Sequence, residues 1–170
     1  MLIHKRTQED KILKSTIRGI LGRSPSNLEL FKLSLKHSSS SSESNERLEY
    51  LGDAILGAIV AEYLFKKFPR RDEGFLTEIR SRIVKRESLN SLAIRIGLSK
   101  LVLFSNSNLN NNKSKSIYGN ALEAFIGAVY LDKGYDFCTK FILDRLINPH
   151  ISIEDTIKSD TNFKSKLIEW

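Results

Sequence analysis

Three carboxylates, Glu46, Glu49 and Asp53, fall within the stretch NERLEYLGD. An α-helix advances about 100° per residue, so Glu49 lies near −60° from Glu46 and Asp53 near −20°, all on one narrow face. Like charges three or four apart weaken a helix by a few tenths of a kcal/mol per pair, so the cluster calls for something that offsets it. A second stretch, YGNALEAFIGAVYLD, sets Asn120 and Glu123 three apart on another helix face. Two apolar helices with oxygen donors on one face each could meet and enclose a hard divalent cation. Mg²⁺ suits this best, because it takes a few carboxylates and keeps several waters for a substrate. Such an ion can polarise a phosphodiester and lower the pKa of an attacking water. A plainer reading stands beside this one. Acids in a first helical turn favour the macrodipole, which accounts for Glu46 and in part Glu49, and acids three apart often mark a solvated face. Asp53 lies beyond the reach of the dipole, between Gly52 and Ala54.

The elements that must carry these residues are helical throughout. Residues 9–21 hold Ile12, Leu13, Ile17, Ile20 and Leu21 at the spacing of an apolar stripe, and Gly22 follows as a stop signal. Residues 27–36 repeat the pattern. The solvated run HSSSSSESN then ends in Ser44 and Asn45, either of which is expected to cap a helix over about 46–67 that stops before Pro69. One long helix is expected over 75–96, with Ile79, Ile83, Val84, Leu89, Leu92, Ala93 and Ile96 on its apolar side and Arg80, Arg82, Lys85 and Arg86 on its other faces. The polar, low-complexity run SNSNLNNNKSKS reads as a loop. Helices over about 117–133 and 136–147 complete an all-α domain.

Composition narrows the function classes. The chain has 170 residues, 41% of them hydrophobic, which suits one domain with an ordinary core. No apolar stretch is long enough to span a bilayer, and the first residues, MLIHKRTQED, lack the apolar core of a signal peptide. The single Cys138 cannot form an internal disulfide and reads as a buried small hydrophobe, compatible with a cytoplasmic protein. A net charge of +7 points toward polyanions, with nucleic acid ahead of anionic membrane.

ERLEYLGDAIL resembles the signature of the ribonuclease III endonuclease domain, which opens with Glu-Arg-Leu-Glu and an aromatic before Leu-Gly-Asp. SLKHSSSS is similar to the family's segment upstream of that helix, FPRRDEGFLTEIRSRIV to its Phe-Pro…Glu-Gly…Leu-Thr…Arg segment, and SIYGNALEAFIGAVYLDKGY to its second acidic helix. The matches run in family order over about residues 15–148. The closing NFKSKLIEW resembles the entry to the double-stranded RNA-binding domain of bacterial members, so the resemblance implies a catalytic domain over 1–158 and a linker to an absent domain over 159–170.

What the resemblance implies is specific. The family fold is an all-α endonuclease domain. Its Mg²⁺-dependent reaction, for which Mn²⁺ can substitute, hydrolyses double-stranded RNA to 5′-phosphate and 3′-hydroxyl ends in rRNA and mRNA processing. Glu49, Asp53, Asn120 and Glu123 match the metal ligands, with Asp53 and Glu123 closest to the chemistry. Asn120 departs from the Asp of most bacterial members, which leaves the site one negative charge short. Glu46 and Glu73 match supporting acids of the cleft. Tyr50 matches an aromatic that inserts into the partner subunit of a homodimer, the alternative being a core tyrosine. Arg80, Arg82, Lys113 and Lys115 are candidates for RNA phosphates, and His37 reads as structural. A catalytically silent relative that binds structured RNA is the competing reading, and the retained acids Glu49, Asp53 and Glu123 argue against it.

Overall fold

The computed structural model describes residues 7–39, 43–105 and 116–157 of the chain. Lys113, Lys115 and the segment 159–170 lie outside them. Helix α1 spans Gln8–Leu21: the Thr7 hydroxyl accepts from the Asp10 amide at 3.3 Å at one end, and Gly22 takes φ 76° at the other. That left-handed conformation costs glycine little and lets its N–H close onto the Arg18 carbonyl. Helix α2 covers Leu28–Ser34, capped by Asn27. Helices α3 (Glu46–Lys67), α4 (Glu73–Ile83) and α5 (Arg86–Arg95) follow. A 3₁₀ turn at Leu98–Lys100, then α6 (Ile117–Lys133) and α7 (Tyr135–Phe141) complete the order. Among the described residues there is no β-strand. One parallel bridge, Lys36 to Leu103, ties the chain before α3 to the chain after α5.

Helix α6 is the axis of the fold. Its residues Ala121, Leu122, Ala124, Phe125, Ile126, Ala128 and Val129 are sealed from solvent, and α3, α5, α2 and α7 pack round it. Phe125 meets the ring of Phe31 from α2 edge-on at 5.2 Å and that of Phe141 from α7 at 6.0 Å. The closest approach is between α3 and α6. A Cβ on Gly52 would collide with the Glu123 carbonyl, and one on Gly127 would collide with the Leu48 carbonyl. The two helices therefore cross backbone on backbone. At the far end of α6, the Asp132 carboxylate (1% exposed) accepts the Ser26 amide at 3.0 Å and the Asn27 amide at 2.7 Å. This fixes the start of α2, and Lys133 neutralises the acid at 3.2 Å.

The expected helix over 75–96 is two helices. Val84 leaves helical geometry and Lys85 is extended at φ −64°, ψ 150°. The reason is burial: in one straight helix Leu89 would sit about 240° round from Ile83, so the apolar stripe would leave the core. The break re-aims it, and Ile79, Ile83, Leu89, Leu92 and Ala93 are all buried. The expected cap of α3 is also different. Asn45 occupies the N-cap position, but its side chain is buried and donates to the Ser34 carbonyl at 3.1 Å instead of capping the helix. The helix expected over 136–147 is α-helical only to Phe141 and continues as a π-helical turn, Ile142–Ile147.

Candidate active site

The glycine crossing decides what α3 and α6 can present. Glu49 stands one turn before Gly52 and Asp53 directly after it, while Glu123 stands one turn before Gly127. Sequence distance of about seventy residues is thus converted into facing side chains at the point where the backbones touch. Glu49, Asn120 and Glu123 line one cleft of about 210 Å³, closed by Gly119, Val84, Leu89 and Arg86. Both glutamates are half-buried, and Asp53 sits exposed at the rim.

The electrostatics show how closely these groups are coupled. Burial first, then the negative charges of Asp53 and Glu49, push the Glu123 carboxyl up to about 7. Burial and the neighbouring Glu46 likewise raise Glu49, while a side-chain hydrogen bond from Asn120 and the Arg86 guanidinium pull it back. The anionic state is therefore disfavoured, which is the condition a bound cation relieves. Among the described residues no three His, Cys, Asp or Glu side chains converge into a ready-made metal cage. The donors that do meet in the cleft, two carboxylates and one amide, are of the kind taken by a cation that keeps much of its own water. The donors are all oxygens, and they fit Mg²⁺ by that chemistry.

The other expected residues are dispersed. Glu46 flanks the cleft on the outside and, with Tyr50, lines a separate groove that also holds Leu33, Leu51 and Leu131. Tyr50 is 82% exposed, which excludes the core-tyrosine alternative. Glu73 lies in a different groove, beside Arg80 and Phe65, and accepts from the Thr77 hydroxyl at 2.7 Å. Arg82 is committed internally: it pairs with Glu78 at 2.8 Å and donates to the Thr156 carbonyl at 2.9 Å. It fastens α4 to the turn over 153–157, a structural use of a residue expected on RNA. His37 has the structural role expected, its ring hydrogen-bonded with Ser39 at 2.9 Å beside the Lys36–Leu103 bridge. Cys138 is buried, and burial pushes its thiol up to about 12, so it is no nucleophile at neutral pH.

Two participants escape sequence reasoning. Arg86 reaches the cleft only because the helix breaks at Val84–Lys85; on an unbroken helix it is one of several surface cations. Asn90 accepts the Gly119 amide at 2.6 Å and so sets the start of α6 against α5. A glycine one residue before Asn120 is the only trace that signal leaves in the sequence.

The comparisons with known proteins come to the same helices. A family model described as Ribonuclease-III-like matches residues 27–150. The protein named Ribonuclease 3 from Bacteroides thetaiotaomicron is 49% identical over 158 residues, covering 89% of this chain and 50% of that protein. Its namesake from Bacteroides fragilis is 46% identical over 170 residues, covering 96% and 58%. The chain thus spans little more than half the length of these curated relatives. The nuclease domain of ribonuclease III from Campylobacter jejuni, solved in a form with structural flexibility in a region involved in dimer formation, superposes with a TM-score of 0.74. It is 37% identical, and the match covers 79% of this chain and 96% of that one.

Proposed function

Because the chain belongs to the ribonuclease III family, we propose that it is the nuclease part of a Mg²⁺-dependent endoribonuclease that acts as a homodimer on double-stranded RNA. The observation that carries this reading is the cleft at the glycine crossing, where Glu49, Asn120 and Glu123 face one another and burial, with the charges of Asp53 and Glu49, pushes the Glu123 carboxyl up to about 7. A catalytically silent RNA-binding relative would have no use for so unfavourable a cluster, and its retention favours the enzyme.

Each element has a part in the chemistry. Glu49 and Glu123, fixed to the two crossing helices, would hold Mg²⁺ (or Mn²⁺) between them, with Asp53 at the rim and the Asn120 carbonyl as a neutral donor. The bound ion would supply positive charge to the phosphodiester and acidify an attacking water. Arg86 would supply positive charge at the cleft wall, where it already acts on Glu49 and Glu123. In the hydrolysis, the water oxygen bonds to phosphorus and the bond to the 3′-oxygen breaks. The proton passes to that oxygen, leaving 5′-phosphate and 3′-hydroxyl ends. Duplex RNA is read mainly by shape, phosphates and 2′-hydroxyls, so sequence preference should be weak.

Two subunits are supported by the exposed face of α3. Tyr50 and Phe65, 82% and 70% exposed, stand near its two ends with Ala54 and Ala58 exposed between them. Together these make an exposed apolar stripe on a helix whose other faces carry the acids and the α6 contact, and such a stripe favours a partner that covers it. A second copy of the chain is the cover proposed, because the similar Campylobacter jejuni nuclease domain is described as having a region involved in dimer formation. Incubation with long duplex RNA, with Mg²⁺ and with a chelator, tests the activity. Short products bearing 5′-phosphates in Mg²⁺ alone are expected, and intact RNA in both conditions would overturn the reading.

A further inference from the structure

On the other flank of α5 from the acidic cleft lies a second concavity, of about 360 Å³, where the end of α4, the length of α5 and the segment 150–156 meet. Its lining includes Lys85, Ser88, Ser91, Arg95 and His150, with Glu87 as the one acid. Among the described residues neither Lys85 nor Arg95 is paired with an acid, unlike Arg82, which is committed to Glu78 and Thr156. The N-terminus of α5 opens at the same end with Lys85 at the cap position and no side-chain cap, which further favours negative charge there. The groove is therefore cationic on balance, with Lys85 and Arg95 against the single acid Glu87.

Its shape selects among anions. Ser88, Ser91 or Leu92, and Arg95 recur along one stripe of α5, and Lys85 precedes them at its cap. With a rise of about 1.5 Å per residue, Lys85 and Arg95 stand about 15 Å apart along the helix. One phosphate cannot bridge that span, whereas a nucleic-acid strand presents a phosphate every few ångströms. The hydroxyls and the His150 ring between the two cations supply donors for the intervening backbone.

We infer that this α5 groove is a second RNA contact, in which Lys85 and Arg95 hold two phosphates, separated by intervening nucleotides, of a strand that extends beyond the catalytic cleft. The inference rests on the reading of RNA as the substrate, but not on the chemistry of the cleft. The helix break places the two sites back to back: Arg86 enters the acidic cleft and Lys85, its chain neighbour, enters the groove. One strand can thus be held on both sides of the same joint.

The test is the salt dependence of RNA binding. A fluorescent duplex RNA is titrated in a chelator, where no hydrolysis occurs, across a salt series with wild type, Lys85→Ala, Arg95→Ala and the double variant. Lys140→Ala, on α7, serves as a surface control. Each lost phosphate contact should make the slope of log Kobs against log salt shallower by roughly 0.7–0.9, and the double variant by about twice that. The control should leave it unchanged. Slopes equal to wild type in both single variants overturn the inference. So does the case in which inorganic phosphate binds wild type but not the variants while RNA slopes stay the same, since the groove would then be a small-anion site. Cleavage in Mg²⁺ is followed on the same proteins. A wild type that cleaves but gives unaltered slopes in the variants removes only the groove, whereas one that shows the slope changes without cleaving removes only the catalytic reading.

Discussion

At the scale of single residues, the cleft owes its character to charge held where charge is unfavourable. If Asp53 and Glu123 serve the metal, Asp53→Asn or Glu123→Gln should lower cleavage by at least about a hundredfold, the loss typical of removing one group that stabilises transition-state charge. Unaltered circular dichroism would show that the fold is kept, and Mg²⁺-dependent cutting by both variants would remove the assignment. Glu123 also predicts a stability profile. Its folded-state pKa, about 7, lies above the ordinary value of 4.5, so the folded protein binds this proton more tightly than the unfolded chain. Stability therefore falls as pH rises between those values, and the whole penalty is present above about 7. The side chain is partly exposed, so solvent screening limits the cost to about 1–2 kcal/mol. In a chelator, Glu123→Gln should melt close to wild type near pH 4.5 and a few degrees higher at pH 8; a gap that does not change with pH would contradict this. Asn120 makes the third residue-scale case. Restoring a full negative charge with Asn120→Asp should lower the Mg²⁺ concentration for half-maximal activity, and an unchanged requirement would place Asn120 outside the coordination shell.

At the scale of elements, the site exists because α3 and α6 touch. Gly52→Ala inserts a methyl group into the Glu123 carbonyl, where backbone rather than a flexible side chain must give way. The variant should lose at least the ~1–3 kcal/mol of an overpacked core, visible as a lower denaturation midpoint, and should lose activity even when folded at low temperature. Full activity at native stability would mean that the helices can separate without consequence. This contact also marks the limit of what the sequence discloses. The helices themselves were legible: Gly22 ends α1, and α3 occupies Glu46–Lys67, where the apolar run and Pro69 place it. That Glu49, Asn120 and Glu123 share one cleft was legible, because each stands on an apolar helix whose polar face must meet another. The break at Val84–Lys85 was not, since periodicity within each half is good and only the angle between the halves betrays it. Arg86 and the α5 groove follow from that break, and were hidden with it. The capping expectation for Asn45 failed for a related reason: a buried tertiary acceptor, the Ser34 carbonyl, outcompetes the local one.

At the scale of the whole molecule, α3 is exposed on the side away from α6, and a homodimer would cover it. Burying Tyr50 in a partner makes it a candidate hot spot worth about 2 kcal/mol, and two-fold symmetry doubles the contact. Tyr50→Ala should thus weaken the dimer by a factor on the order of a hundred or more, seen as a shift toward monomer in analytical ultracentrifugation, while an unshifted equilibrium would place the interface elsewhere. With one side of α3 locked to α6 at the glycine crossing, the acids are carried by the part of the chain least able to open alone. Amide hydrogens around Gly52 and Gly127 are then the last to exchange with solvent, opening only when the whole domain unfolds. A domain so built should have no partly melted state in which the cleft is lost and the fold survives. On heating, cleavage and near-ultraviolet circular dichroism should be lost over the same range of temperature, and loss of cleavage ahead of the dichroism would contradict this.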